Sequence, residues 1–360
     1  MGRRDWRVIV KEAEEIAREY SERYGVAPTL RGIFYILVSK GVISNTRSDY
    51  VYLSKVLSKK RYAGEFDPKL IEDRSRRVSV GRESAVLERD IAKARQRLLK
   101  EIELSIWFIT RFYINPWDDQ RRRVIIVLEK DALYPLIDNM VRKITGELVE
   151  GERWDEPAYV EEIRVIRGYD SATDIYKLAE KLKKIPHSIT PAILLLGDFD
   201  PSGEDIVRDF QYRLEMLSTR YDAIFEKVAV TLHQIMELDL PAAPLSQEEV
   251  RKMVRDPRYR RYVAKLEEMA EIDKRYRELI ERYRRPDGTL AMRVELDALA
   301  ALKPEYLEKV LAEAIKRHFD AKTYLEKTKP KIEEQERIAK ELREELEKEV
   351  MRCIESTTSN

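Results

Sequence analysis

The sequence has a single cysteine, Cys353, in 360 residues, which excludes a disulfide-stapled scaffold. No stretch approaches the roughly 18 uninterrupted apolar residues of a membrane-spanning helix, so no membrane association is expected. The opening MGRRDWRVIVKEAEE turns acidic before an apolar core can form. That reads against a secretory signal and makes the cytoplasm the expected compartment. Net charge is nearly absent as well: 68 Lys+Arg face 67 Asp+Glu, a formal +1. The only three histidines, His187, His233 and His318, lie far apart without ligand spacing, which argues against zinc. The chain also lacks a G-x-x-x-x-G-K-[ST] run, so it carries no P-loop of its own.

What is present is ample for folding. Hydrophobic residues make up 43% of the chain, which excludes wholesale disorder, and the length suits two or three domains. Charged residues reach 38%, well above the usual quarter, a bias shared with thermophilic proteins. The charge is unevenly spread. Residues 1–115 hold 24 basic and 16 acidic residues, a balance of +8, and the remainder holds 44 and 51, a balance of −7. The sharpest basic stretch, Arg47 to Arg82, has ten basic residues against five acidic. A basic first part joined to an acidic second part suits a nucleic-acid-binding module attached to a metal-binding one, or simply a solvated charged surface.

The spacing predicts an amphipathic helix over Trp6–Tyr24, a second over Leu30–Lys40 capped by Thr29 and stopped by Gly41, and a third from Thr46 or Ser48 to about Arg61. A charged, turn-rich ribbon follows. Three short helices and a ribbon give the order of a winged helix-turn-helix, whose third helix would present Arg47, Lys55, Lys59, Lys60 and Arg61 to double-stranded DNA. A fourth helix is expected over about Glu83–Phe108, and INPWDDQRRR reads as a connector in which Trp117 packs. Beyond it, strand and helix alternate. VIIVLE, EEIRVIRG, AILLLGDFD and KVAVTL read as strands of a mainly parallel sheet. From about residue 240 the chain reads as helical, with a thin apolar stripe of Ile338, Leu342, Leu346 and Val350 packed on its own domain.

Three carboxylates stand out, because Glu129, Asp198 and Asp200 each end a predicted central strand, where open α/β sheets bind ligands. Such a cluster repels itself unless a cation neutralises it, and hard oxygen donors suit Mg²⁺. A lone acid at such a position would more simply cap the following helix. Arg31 and Tyr35 stand at i and i+4 of the second helix and so share a face. A neighbouring guanidinium would favour the phenolate and grip a phosphate, although aromatic residues beside Ile and Leu commonly mean core. Lys130 and Arg167 are candidate phosphate contacts, whereas Glu295 and Asp297 in RVELDAL read either as neighbours of the metal site or, as the simpler reading, as helical surface.

VIIVLEKDAL followed by ILLLGDFDPSGEDI resembles the toprim domain of topoisomerases, primases and related nucleases. Together with RGIFY on the preceding helical module, the chain resembles the topoisomerase VI A-subunit family, which includes the eukaryotic protein that makes meiotic double-strand breaks. The resemblance spans most of residues 25–320. It implies a winged-helix domain over 1–115 and a toprim domain with a helical C-terminal extension over 122–360. It implies Tyr35 as catalytic nucleophile assisted by Arg31, Mg²⁺ on Glu129, Asp198 and Asp200, and proton-transfer work for Glu129. It also implies a homodimer on double-stranded DNA, with the tyrosine of one subunit meeting the metal site of the other. Only about two dozen residues precede the winged helix, so the region that docks an ATPase B-type subunit looks absent. In this respect, and in RGYDSATDIY and RVELDALAALKPEYL, the chain is similar to stand-alone A-subunit-like proteins of archaea and bacteria. The expected activity is Mg²⁺-dependent double-strand cleavage through a 5′-phosphotyrosyl link. The alternatives are a toprim nuclease using metal-activated water and a non-catalytic DNA-binding protein.

Overall fold

The runs RRVIIVL and TPAILLL are apolar on both faces, and both become central strands. Strand β1 is Arg122–Leu128 and β3 is Thr190–Leu196, each buried along nearly its whole length. They pair in parallel, with Leu128 beside Leu196. The computed structural model describes residues 6–72, 91–110, 114–148, 160–166, 172–217 and 221–358. Among these, β2 (Glu162–Val165) and β4 (Ile224–Ala229) complete a sheet of order β2-β1-β3-β4, parallel throughout. The four expected strands and their direction are therefore present.

The order of helices follows the sequence closely. α1 is Trp6–Tyr24, α2 Leu30–Ser39, α3 Arg47–Tyr62, α4 Ile91–Thr110, α5 Tyr134–Leu148, α6 Ala172–Lys184 and α7 Pro201–Leu217. Then come α8 Leu232–Leu238, α9 Gln247–Arg255, α10 Tyr259–Ile272, α11 Lys274–Arg282, α12 Leu296–Leu302 and α13 Pro304–Lys316. A single turn α14 (Ala321–Thr323) leads through Tyr324–Thr328 into α15, Lys329–Thr358. Helices α6 and α7 cover the sheet face that carries Ile125, Val127, Ile193 and Leu195, meeting it with Leu178, Leu182, Phe210 and Leu214. Side chains alternate along a strand, so Val124, Ile126 and Leu194 turn to the opposite face.

The chain forms two compact units. One joins Met1–Ser75 to Arg121–Phe319; the other joins Arg76–Gln120 to Asp320–Asn360. Among the described residues, 91–110 and 114–120 belong to the second unit, and the chain re-enters the first at Arg121. In the second unit, Asp119 accepts hydrogen bonds from Thr328 and Lys331, and Gln120 brackets Asp320. There α15 packs along α4, and the Arg343 Nε donates to Thr110 Oγ1.

In the first unit α1, α2 and α3 enclose a core of Ile9, Ala13, Ile33, Phe34, Leu37, Leu53 and Leu57. Thr29 caps α2 by accepting from the Gly32 N–H at 2.9 Å, and Thr46 caps α3. Helix α2 buries residues all round because α12 covers the side that α1 and α3 leave open, placing Ala298 in the same core. A methyl group at Gly32 would lie 3.2 Å from Ala301 Cβ, so that glycine permits the close approach of α2 and α12. The ribbon expected after α3 lies outside the described residues from position 73, and so does its share of the basic stretch.

Gly203 sits in the first turn of α7, just after β3, where an added Cβ would stand 1.9 Å from the Asp198 carbonyl oxygen. The obstacle is backbone, so it cannot swing aside. We expect Gly203→Ala to lower the unfolding free energy by about 2 kcal/mol or more, measured by urea denaturation. An unchanged midpoint would contradict this packing.

Candidate functional site

The loop after β3 holds the two aspartates, and its shape depends on two glycines. Asp198 donates its backbone N–H to Glu129 Oε2 at 2.9 Å, which ties the ends of β1 and β3 together. A Cβ at position 197 would lie 2.7 Å from that same oxygen, so Gly197 makes room for it. Asp200 Oδ1 accepts the Gly203 N–H at 2.8 Å, so this acid does cap the following helix. Its other oxygen lies 3.5 Å from Arg293 Nε. Lys227 fixes the loop from below. Its ammonium reaches the carbonyl oxygens of Asp198 and Gly203, both at 3.0 Å, and Glu204 Oε1 at 2.7 Å.

The extended stretch just before α12, residues 293–295, runs antiparallel to the DxD loop. Phe199 donates to the Val294 carbonyl at 2.8 Å and Val294 donates back at 3.0 Å. The Leu296 N–H then reaches Asp198 Oδ1 at 2.8 Å. This pairing draws Glu295 and Asp297 inward until they are 4% and 5% exposed. The expectation that they form helical surface is therefore corrected. Asp297 does lie in the first turn of α12, but on the side that faces α2 and β1.

These acids are held by three cations. Lys130 Nζ stands 2.7 Å from Asp297 Oδ2 and 3.1 Å from Asp198 Oδ2. Burial opposes the Lys130 charge, but Asp297 and Asp198 outweigh it and keep the ammonium protonated. Lys130 thus binds carboxylates in this conformation, not the phosphate expected of it. Asp297 Oδ1 accepts the Thr29 hydroxyl at 2.8 Å. Burial pushes the Asp198 carboxyl up to about 7; Lys130 opposes that rise, while Glu129 and Glu295 add to it. Arg31 pairs with Glu295 Oε1 and lies over the Tyr50 ring, 4.8 Å from its centre. Arg293 is the third cation, beside Asp200.

Tyr35 donates its hydroxyl to Glu295 Oε2 at 3.0 Å. The residue is fully buried, within the core of the three-helix module. Burial, and after it the Glu295 charge, raise its pKa above the ordinary value, and Arg31 offsets only part of that rise. The expected effect of Arg31 on the phenolate is thus corrected: Glu295 takes up the guanidinium, and the surroundings favour the neutral phenol. Arg31 and Tyr35 also form part of the wall of a pocket of about 180 Å³, together with Arg47, Tyr50, Glu249 and Arg293.

Of the residues expected to meet DNA, Lys55 and Lys59 are exposed on α3. Arg47 is paired with Glu249 and Lys60 with Glu65, while Arg61 is half-buried. Arg167 lies outside the described residues.

Glu129, Asp198 and Asp200 share one sheet edge and offer only hard oxygen donors, a set whose chemistry fits Mg²⁺. Among the described residues, however, no three His, Cys, Asp or Glu side chains converge on a common point that could hold a metal ion. By sequence, Glu295 and Asp297 read as neighbours of the acids or, more simply, as helical surface, whereas both are buried beside Asp198 and Lys130. Family models, curated proteins and solved structures yield no match to this chain.

Removing the ammonium that Asp198 and Asp297 share leaves two nearly buried carboxylates uncompensated. We expect Lys130→Met to cost about 3 kcal/mol of stability, and Asp297→Asn added to it to recover part of the loss. Urea denaturation of the single and double variants reads both. A stable Lys130→Met protein would contradict the assigned network.

Proposed function

We propose that this chain is a Mg²⁺-dependent DNA-cleaving enzyme of the topoisomerase VI A-subunit type, in which Tyr35 attacks a backbone phosphate and forms a 5′-phosphotyrosyl link. The observation that carries the reading is the meeting of two motifs. The Arg31/Tyr35 pair and the acid-bearing sheet edge both end on the segment Arg293–Asp297, inside one chain. Phosphoryl transfer needs a nucleophile, cations and acids together.

In this reading the first three helices act as a winged-helix DNA-binding module, with Lys55 and Lys59 on its open face. Arg47, Lys60 and Arg61 add phosphate contacts once the partners of Arg47 and Lys60, Glu249 and Glu65, are exchanged for DNA. Arg31 stabilises charge on the transferring phosphoryl group. Mg²⁺ held by Glu129, Asp198 and Asp200 would supply positive charge at the scissile or adjacent phosphate. A two-fold dimer would carry one such site for each DNA strand, each built within one chain and not, as the resemblance implies, from the tyrosine of one subunit and the metal site of the other, so that paired cuts break the duplex.

The burial of Tyr35 favours a second reading, a toprim-type nuclease in which metal-activated water attacks and Tyr35 serves only as core. Labelled duplex incubated with the protein and Mg²⁺, then quenched with denaturant, separates the two. The first reading expects a covalent protein–DNA adduct that Tyr35→Phe abolishes while metal and DNA affinity persist. Retained cleavage in Tyr35→Phe would overturn it in favour of hydrolysis. In both readings Asp198→Ala/Asp200→Ala should lose Mg²⁺ binding by calorimetry, and unchanged binding would refute the metal assignment. DNA affinity should fall steeply with salt and weaken for any sequence on charge reversal at Lys55, Lys59 and Lys60. Indifference to those three changes would contradict the assigned DNA face.

A further inference from the structure

Resting on the tyrosine reading above, we infer that Glu295 is the general base that takes the phenolic proton of Tyr35. Three observations point to it. Glu295 Oε2 already accepts that proton in a 3.0 Å hydrogen bond, so no rearrangement is needed to bring base and nucleophile together. The carboxylate is 4% exposed, which shields it from competing water. Its other oxygen is held by Arg31, and its backbone is pinned on both sides by the Val294–Phe199 pairing and the Leu296–Asp198 bond. Glu295 stands at the N-cap position of α12, yet makes no capping bond with its side chain. Its carboxylate is committed to Tyr35 and Arg31 instead of to the helix.

The step balances as follows. A lone pair of Tyr35 Oη forms the bond to phosphorus while the phenolic proton passes to Glu295 Oε2. The bond from phosphorus to the 3′-oxygen breaks, its electron pair leaves with that oxygen, and a proton from water completes the 3′-hydroxyl. Resealing runs the same transfers backwards, with protonated Glu295 returning the proton to Tyr35. The role also accounts for a phenol kept neutral at rest: its proton moves only when phosphorus is in reach. Arg31 acts on this step as a positioning residue, because it orients the Glu295 carboxylate.

Phenol acidity supplies the test. Adduct formation is measured with labelled duplex and Mg²⁺ in the full chain, for wild type, Glu295→Gln, and both proteins carrying 3,5-difluorotyrosine at position 35. The fluorinated phenol is more acidic and depends less on a base. We expect Glu295→Gln to slow adduct formation about 100-fold or more, and the fluorinated residue to restore most of that loss while changing the wild-type protein little. Undiminished adduct in Glu295→Gln overturns the assignment, and so does a loss that difluorotyrosine does not repair, since a purely structural role is blind to phenol acidity. If Glu295→Gln does not fold, the same rescue is read in Glu295→Asp, which keeps the charge but withdraws it from Tyr35. A wild-type protein that forms no adduct fails the tyrosine reading itself, a result distinct from both.

Discussion

The ammonium of Lys130, set between the buried carboxylates of Asp198 and Asp297, is the interaction on which the rest of the site depends. Desolvating two like charges close together is costly, and a single shared cation makes the pair tolerable. The consequences spread along the chain. Asp297 receives the hydroxyl of Thr29, the same hydroxyl that accepts the Gly32 N–H as the cap of α2. The start of α2 is therefore fixed relative to β1 and β3, and with it the face that carries Arg31 and Tyr35. A helix that could have belonged to a separate module is built into the edge of the sheet.

The charge balance of this edge bears on its chemistry. Glu129, Asp198, Asp200, Glu295 and Asp297 bring five carboxylates, and Lys130, Arg31 and Arg293 bring three cations. Burial is the main cause of the raised Asp198 pKa; Lys130 opposes that rise, and Glu129 and Glu295 add to it. Each backbone-held acid keeps an oxygen outside its backbone bond: Asp200 uses one oxygen to cap α7 and turns the other toward Arg293. Tyr35 is the counterweight: its core position suits stability, and its hydrogen bond to Glu295 suits a nucleophile held in reserve.

Much of the fold was legible in the sequence because it rests on local, short-range signals. Continuous apolar runs such as VIIVL and AILLL mark doubly covered strands, and threonine caps with following glycines mark helix ends. The acids at strand ends were legible for the same reason: position along a parallel strand fixes which edge they reach. The other half of the site was not. The inward turn of Glu295 and Asp297 depends on Val294 pairing with Phe199 across 95 residues of chain, and the commitment of Arg31 to Glu295 depends on α2 packing against α12. Pairings of that range leave only a faint trace in local pattern. The packing of α4 was hidden likewise, since its partner, α15, lies at the far end of the chain.

The most direct measurement of the central claim is chemical. The protein is allowed to react with duplex DNA and Mg²⁺, denatured, stripped of protein-free DNA by nuclease, and digested with trypsin. Mass spectrometry then reads the peptide that contains Tyr35. The account expects a nucleotide joined through its 5′-phosphate to the Tyr35 oxygen. Cleaved DNA accompanied by unmodified Tyr35 would contradict it.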